Sequence, residues 1–92
     1  MNKDNFKDLW FYIKTRSIAI LEEKVTVNAI GILLKTKSGS KYLISKIEDN
    51  RSVKNRYELW DSAVMILGTK HTAAIPYSEI AEIYSEELKN NY

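Results

Sequence analysis

The chain contains no cysteine among its 92 residues, and this absence removes several kinds of chemistry. Disulfide bonds, thiolate metal sites and cysteine nucleophiles are excluded, and an intracellular location is mildly favoured. Only one proline and three glycines are present, so we expect short connections between elements. No segment approaches the roughly 18 consecutive apolar residues of a membrane span. Residues 1–8 mix charges and lack the apolar run of a signal peptide. We therefore expect a soluble, cytoplasmic protein.

The composition that remains is that of a globular domain. Hydrophobic residues make up 45% of the sequence and charged residues 28%, which argues against disorder. A chain of 92 residues is long enough for one hydrophobic core. We predict a single domain that covers residues 1–92.

Charge is unevenly distributed along the chain, although the net charge is only +2. Residues 35–56 contain seven basic and two acidic residues, a local charge of +5, whereas residues 77–92 carry −3. The two regions can pair within a chain or between subunits, or the basic region can face a polyanion. A solvated basic hairpin explains the same distribution, so charge alone assigns no function.

Residues 4–23 are predicted to form an N-terminal helix. Phe6, Leu9, Trp10 and Ile13 follow the spacing of an amphipathic helix. The alternative is a helix that ends near residue 15, followed by a short strand at residues 17–21. We favour the long helix and leave residues 17–21 open between helix and strand.

Alternating and continuous apolar segments predict antiparallel strands after the helix. The clearest feature is a hairpin whose turn is Ser38-Gly39-Ser40, with Gly39 free to adopt a positive φ. Gly31 stands where alternation gives way to a continuous apolar run, so we expect a bulge or bend there. The predicted strands cover residues 24–37, 40–48, 56–61, 63–67 and 71–75.

A second helix is predicted at residues 79–89, near the C-terminus. Ser78 is placed to cap it, and Ile80, Ile83 and Leu88 have helical spacing. The expected fold is α+β and β-rich: a four- to five-stranded antiparallel small barrel with N- and C-terminal helices. Its core is expected to contain Leu9, Ile13, Val27, Ile30, Ile32, Leu34, Ile44, Leu59, Val64, Ile66, Ile75, Ile80 and Ile83.

The sequence does not indicate a catalytic site. His71 is the only histidine, it has no carboxylate or nucleophile beside it, and no phosphate-binding or nucleophile motif is present. We expect no enzyme activity, no cofactor and no metal. A small enzyme or ligand-binding domain centred on His71 is the most distant alternative.

Nucleic-acid binding is favoured by basic residues that flank Tyr42, Tyr57 and Trp60. Small barrels bind single strands by placing cations on phosphates and stacking bases on aromatic rings. For any one of these three aromatic residues, packing in the core or across strands is the more common role. The pattern therefore indicates a candidate interface without fixing which rings belong to it.

The order of a helix, short strands, a strand–Gly–strand hairpin and an Asp-Asn loop resembles the Sm and Hfq group of SH3-like small barrels. Leu34-Lys-Thr-Lys-Ser-Gly39 matches the first strand and turn, Asp49-Asn50 the loop that often pockets a base, and Leu67-Gly-Thr-Lys70 the second loop. The loop at residues 49–56 is longer than in that family, and the family's Arg-Gly is absent. Residues 74–83 also resemble the ends of PRC-barrel domains, which are mostly interaction or assembly modules.

The resemblance implies a non-catalytic, Sm-like oligomer that binds single-stranded RNA. The alternative is a protein-interaction or assembly module, which binds another copy of the chain or another protein through the terminal helices. In the first case, the expected RNA-binding residues are Arg51, Lys54, Arg56, Lys70 and His71 at phosphates, Asn50 at the base pocket, and Tyr42 or Tyr57 stacked on a base. In the second case, Phe6, Trp10, Tyr84 and Leu88 face the partner.

Overall fold

The computed structural model describes residues 1–24, 26–68 and 70–88. One helix precedes all of the strands, and a short 3₁₀ turn (Tyr77–Glu79) precedes the last of them. The fold is α+β with antiparallel sheets, as the sequence predicts. The main elements are α1 (Lys3–Glu23), β1 (Ala29–Thr36), β2 (Lys41–Glu48), β3 (Val53–Asn55), β4 (Tyr57–Leu59), β5 (Ala63–Leu67), β6 (Thr72–Pro76) and β7 (Ile80–Leu88).

α1 begins with a capping box, in which Asn2 and Asn5 each accept a hydrogen bond from the other's backbone amide. The helix continues without a break through residues 17–21. The longer helix is therefore the observed one, and the alternative strand at residues 17–21 is wrong.

The buried face of α1 differs from the predicted stripe at one position. Phe6 is fully buried, and Trp10 and Ile13 are partly buried against the same core. Ser17 continues this line one turn further on. Leu9 is 42% exposed, so its predicted place in the core is wrong. The reason is that the line from Phe6 through Trp10 to Ser17 places Leu9 on the flank of the helix.

β1 is a central strand in a four-stranded antiparallel sheet with the order β3-β2-β1-β7. The register between β1 and β2 shifts between Ile32 and Leu33, so a bulge lies close to the bend expected at Gly31. A Cβ atom on Gly31 would lie 2.9 Å from Leu43 Cδ1 and 3.2 Å from Leu88 Cδ2. The glycine therefore allows side chains of both neighbouring strands to pack over β1.

A second antiparallel sheet has the order β4-β5-β6, and Arg56 connects it to the first. The Arg56 backbone amide donates to the Ile44 carbonyl of β2 at 2.8 Å. The Arg56 carbonyl accepts from the Leu67 amide of β5, also at 2.8 Å. The strands of the described residues thus form two sheets that meet at Arg56 and do not form one closed barrel.

The predicted C-terminal helix at residues 79–89 is wrong. Ile80–Leu88 forms β7 and pairs with β1 along nearly its whole length. Lys89, the last residue of the predicted helix, lies outside the described residues. β1 is buried almost throughout and needs a hydrogen-bonding partner on its second edge, which a helix cannot supply.

The pairing register shows why the spacing of apolar residues in β7 looks helical. Lys35 of β1 pairs with Glu82, but the next residue of β1 pairs with Ile80, so Ala81 is an extra residue in β7. This bulge reverses the alternation of the strand. Ile80 and Ile83 are therefore both buried, although they lie three positions apart.

The remaining strands differ from the predicted ones mainly at their ends. β1 begins at Ala29, where residue 24 was expected, and Val25 lies outside the described residues. β3 lies in a segment expected to be irregular, and with β7 it raises the number of strands in the described residues to seven instead of four or five. The buried apolar residues are Phe6, Leu21, Val27, Ala29, Ile30, Ile32, Leu34, Ile44, Ile47, Val64, Ile66, Ile75, Tyr77, Ile80 and Ile83.

Candidate nucleic-acid interface

A cleft of about 300 Å³ opens beside Arg56, at the place where the two sheets meet. Three separate segments form its walls: the start of β2, the bend between β3 and β4, and the end of β5 with the turn that follows. We call it the cationic cleft. Its lining residues are Lys41, Tyr42, Leu43, Arg56, Ile66, Leu67, Gly68, Lys70 and His71.

Four of the residues predicted to bind RNA come together in the cationic cleft: Tyr42, Arg56, Lys70 and His71. They come from three segments of the chain that are separate in sequence. Lys41 completes the group of basic side chains. Sequence reasoning counted Lys41 among the basic residues of the hairpin but did not place it in the site.

The backbone fixes the position of Arg56 independently of its side chain. Its amide and carbonyl are both bound, one to each sheet, so the Cα atom is held at the junction. The guanidinium belongs to a residue that lines the cleft. It offers several N–H donors in a planar fork, a geometry that matches phosphate oxygens.

Gly68 shapes the turn that carries Lys70 and His71. The Gly68 amide donates to the His71 carbonyl at 3.0 Å, which closes the turn. A Cβ atom on Gly68 would collide with that same carbonyl oxygen. A glycine is therefore required for this approach. Thr69, within the predicted turn, lies outside the described residues.

The cationic cleft has positive charges with no compensating carboxylate in its lining. Lys41, Arg56 and Lys70 line it, and Asp and Glu are missing from the described lining residues. The ion pairs found in the described part of the chain involve other basic residues. Such a concave surface of one charge sign attracts anions and raises their local concentration.

An aromatic ring and an apolar floor accompany these charges. Tyr42 is half-buried in the wall, Ile66 is buried beneath the cleft, and Leu67 is 42% exposed. A flat ligand can lie against this surface and bury apolar area. The cationic cleft therefore combines a surface for a ring with donors for an anion.

Asn50, Arg51 and Lys54, the other predicted RNA-binding residues on the chain between β2 and β4, do not line the cationic cleft. They belong to residues 49–54, which we call the β2–β3 turn and which include the first two residues of β3. The side-chain oxygen of Asn50 accepts a hydrogen bond from the Ser52 amide at 3.0 Å. This contact stabilises the turn and is typical of asparagine in such positions.

The basic side chains of the β2–β3 turn contact carboxylates. Arg51 forms an ion pair with Glu22 at the end of α1, and Lys54 Nζ lies 3.1 Å from Glu48 Oε1. Arg51 also has a φ of 67°, in the left-handed region that is unfavourable for a residue with a Cβ atom. These contacts give the turn a structural role, since they attach it to α1 and to β2.

Glu48 is the carboxylate that Lys46 and Lys54 contact beside the β2–β3 turn. A hydrogen bond from the Lys54 side chain, with the positive charges of Lys54 and Lys46, holds the pKa of Glu48 below its usual value. Partial burial opposes this change but does not reverse it. The carboxylate is thus ionised at neutral pH and compensates the lysines around it.

Tyr57, the other candidate for base stacking, packs under α1. Its ring centroid lies 5.6 Å from that of Phe6 and 5.9 Å from that of Trp10, in edge-to-face geometry. Burial raises the pKa of Tyr57 to about 12, since the ionised phenolate is poorly solvated there. Tyr57 therefore contributes to the packing of α1 and is not among the lining residues of the cationic cleft.

Two of the predicted partner-binding residues, Phe6 and Trp10, also serve this packing. Phe6 has no exposed surface. The Trp10 indole Nε1–H donates to Ser45 Oγ at 2.9 Å, and the Ser45 hydroxyl donates to Asn55 Oδ1 at 2.7 Å. Trp10 therefore holds α1 against the first sheet, and Phe6 packs against Tyr57 of the second, so neither side chain faces outward.

Tyr84 and Leu88, the remaining two, lie on β7 and are half-buried. In the described residues, the two most exposed large apolar side chains lie on the outer face of α1, and Trp60 and Leu67 are exposed elsewhere. Phe11 is 60% exposed and Tyr12 is 67% exposed. Their position off the predicted stripe of the helix was the sequence signal for this exposure.

Comparisons with known proteins assign no family to the chain. No family model, no curated protein and no solved structure matches it. In the part of the chain that the structure describes, no helix is long and apolar enough to cross a membrane. The same residues contain no group of three or more His, Asp or Glu side chains arranged to hold a metal ion. The geometry of the cationic cleft is therefore the observation that bears on function.

Proposed function

We propose that this chain is a non-catalytic binding module that holds single-stranded RNA in the cationic cleft. The observation that carries the proposal is the convergence of Lys41, Arg56 and Lys70 on one cleft that also contains Tyr42 and has no lining carboxylate among the described residues. Single strands are bound by this combination, since cations neutralise phosphates while aromatic rings stack on bases.

The assignment of roles follows from where each side chain lies. Lys41, Arg56, Lys70 and His71 donate to phosphate oxygens, and Tyr42 stacks on a base. Asn50, Arg51 and Lys54 are left out of this interface, since they lie in the β2–β3 turn and contact partners there. The proposal thus retains half of the residues predicted from the sequence.

The resemblance to Sm and Hfq proteins is part of the same proposal. Two sheets that meet at the Arg56 bend are compatible with a small SH3-like barrel that is open between its sheets. A binding site between sheets, where strands bend and loops gather, suits an interaction module. Assembly into an oligomer would place several such clefts side by side and increase the avidity for a long strand.

The proposal is tested by removing one Arg and one Lys from each basic region. The double variant Arg56→Gln/Lys70→Gln removes two positive charges from the cationic cleft. The double variant Arg51→Gln/Lys54→Gln removes two from the β2–β3 turn. Affinity for a fluorescent single-stranded RNA is measured by anisotropy over a range of salt concentrations. We expect the cleft variant to bind roughly tenfold or more weakly, with a salt slope shallower by about 1 to 2.

The turn variant should keep the affinity of the unaltered protein within about twofold at moderate salt, because its cations are already paired. Lys7→Gln/Arg16→Gln, on the exposed surface of α1, is a second control with the same charge change. Equal losses in all three variants would show a general charge effect and refute a site in the cationic cleft. Absence of measurable binding by the unaltered protein would refute RNA binding itself.

A second candidate function, protein interaction or assembly, is favoured by the exposed face of α1. Phe11 and Tyr12 are exposed, and the exposed Leu9 lies one turn before Tyr12. Light scattering after size-exclusion chromatography tests self-assembly. An oligomer that becomes monomeric in Phe11→Ser/Tyr12→Ser supports this candidate, and an unaltered monomer with unchanged RNA affinity counts against it.

A further inference from the structure

The number of positive charges around the cationic cleft exceeds what one internal nucleotide would require. Lys41, Arg56 and Lys70 converge on a volume of about 300 Å³. This volume is at the small end of ligand sites, which span roughly 300–1,000 Å³, and leaves room for about one nucleotide. An internal nucleotide of a strand brings one phosphodiester and therefore a single negative charge.

The arrangement of these cations is also unlike that of a track for a strand. The three side chains come from three segments: the start of β2, the bend before β4 and the turn after β5. They therefore line one cleft from several sides. Basic residues on the neighbouring strands are engaged elsewhere: Lys35 Nζ lies 3.9 Å from Glu82, and Lys46 Nζ lies 3.8 Å from Glu48.

A terminal phosphate fits this surplus of charge better than an internal one. A phosphomonoester carries about 1.5 to 2 negative charges at neutral pH and has three acceptor oxygens. The fork of Arg56 can bind two of these oxygens at once, and lysine ammonium groups can approach the others. The apolar floor and Tyr42 then remain available to the terminal base.

We infer that the cationic cleft recognises the phosphorylated end of a single-stranded RNA. The inference rests on the proposed RNA-binding function and makes it more specific. The terminal nucleotide lies in the cleft, its base is stacked against Tyr42, and its phosphomonoester is held by Lys41, Arg56 and Lys70. The rest of the strand leaves through the open side of the cleft.

The test compares four RNAs of one sequence, about ten nucleotides long, a length within the site sizes of small nucleic-acid-binding domains. One carries a 5′-phosphate, one a 3′-phosphate, one has hydroxyl groups at both ends, and one is circular. The circular strand contains as many phosphates as each terminally phosphorylated strand, so it controls for their number. Binding of the unaltered protein is measured by competition at fixed ionic strength.

We expect one of the two phosphorylated strands to bind about tenfold or more tightly than the hydroxyl-ended and circular strands, a difference of about 1.4 kcal/mol. The preference should largely disappear in Arg56→Gln/Lys70→Gln and persist in Lys7→Gln/Arg16→Gln. Equal binding of all four strands would overturn the end preference and leave RNA binding intact. Failure of all four to bind would overturn both proposals together.

A variant that keeps the positive charge of Arg56 distinguishes recognition of the phosphate oxygens by the planar fork from electrostatic attraction alone. Arg56→Lys keeps the positive charge but loses the planar fork. We expect it to reduce the preference for the phosphorylated end while the affinity for the circular strand stays within about twofold. A preference equal to that of the unaltered protein would show that the fork of Arg56 does not contact the terminal phosphate and would refute that contact.

Discussion

The cationic cleft and the β2–β3 turn are both rich in basic residues, but only the cleft leaves them available to a ligand. In the turn, Arg51 contacts Glu22 and Lys54 contacts Glu48. In the cleft, Arg56 and Lys70 have no lining carboxylate beside them in the described structure. The local sequence is basic in both regions. The difference therefore arises because the fold places acidic residues next to the basic residues of the turn and not in the described lining of the cleft.

The tyrosines of the two regions show the same contrast. Tyr42 lines the cationic cleft, whereas Tyr57 lies between Phe6 and Trp10 and holds α1 in place. A tyrosine near basic residues in sequence therefore serves either binding or packing. Which role it takes depends on the element that covers it.

The largest effect is expected from a change of Gly68, in the turn at the cationic cleft. The control is the same change at Gly39, in the turn between β1 and β2. Gly68→Ala places a Cβ atom against the His71 carbonyl and should destabilise the protein by about 1–3 kcal/mol, as overpacking does. Because the turn carries Lys70 and His71, RNA affinity should also fall by more than about tenfold. Urea denaturation and anisotropy measure the two effects.

Gly39→Ala provides the matched control. Its Cβ atom would meet open space, but its φ of 94° is unfavourable for alanine, so stability should fall by about 1–2 kcal/mol. RNA affinity below the unfolding transition should remain near that of the unaltered protein. A loss of affinity as large as that of Gly68→Ala would mean that the turn at Gly68 has no special relation to the binding site.

The contrast between the tyrosines predicts an effect of similar size on binding. Tyr42→Leu keeps apolar volume but removes the ring, and it should weaken RNA binding by about 1–3 kcal/mol, the usual value of one stacked base. Tyr42→Phe keeps the ring and should bind normally. Tyr57→Phe should also bind normally, because Tyr57 lies outside the cleft lining. If Tyr42→Leu binds RNA as tightly as the unaltered protein, the stacking role of Tyr42 is refuted.

The structural role of the β2–β3 turn is tested by two substitutions of Arg51. Both remove the ion pair with Glu22, but Arg51→Ala keeps a side chain at a φ of 67° whereas Arg51→Gly relieves that strain. We expect the alanine variant to be about 1 kcal/mol less stable than the glycine variant. RNA affinity should stay within about twofold in both variants. A large loss of affinity in either would show that the β2–β3 turn contributes to RNA binding.

The smallest predicted effect is the pH dependence contributed by Glu48. Its pKa is lowered in the folded protein, so the folded state favours the ionised carboxylate, and this contribution is present above the ordinary pKa of glutamate. The contribution is lost as pH falls through the lowered pKa, because protonation removes the attraction to Lys54. Denaturation midpoints of the unaltered protein and Glu48→Gln should therefore converge between neutral and acidic pH. A gap that stays constant with pH would show that the ion pair does not stabilise the fold.

Much of the fold is predictable from local patterns. The long N-terminal helix follows from apolar spacing, and the hairpin with Gly39 at a positive φ of 94° follows from its turn residues. The positions of β2 and β5 also agree closely with the predicted strands. These elements depend on residues close in sequence, and the periodicity of their side chains indicates which face is buried.

The errors share a different cause, since each depends on a partner distant in sequence. Ile80 and Ile83 have helical spacing, but β1 binds this segment as a strand, and the extra residue at Ala81 turns both side chains inward. Leu9 fits the predicted stripe, but Phe6 and Trp10 engage the sheets and leave it exposed. The continuous apolar run of β1 was the available signal that both faces of this strand are covered, and the backbone of a strand buried in this way needs hydrogen-bonding partners on both edges.

The sequence by itself determined the α+β class, the N-terminal helix, the hairpin and the concentration of basic residues in the middle of the chain. Only the tertiary structure decided which of those residues are available to a ligand. Arg56 is placed at the junction of the sheets by its own backbone bonds, and the turn closed by Gly68 brings Lys70 beside it. Arg51 and Lys54 are brought to Glu22 and Glu48 instead. Charge is a property of the residue, but its compensation depends on long-range contacts, which periodicity and composition do not contain.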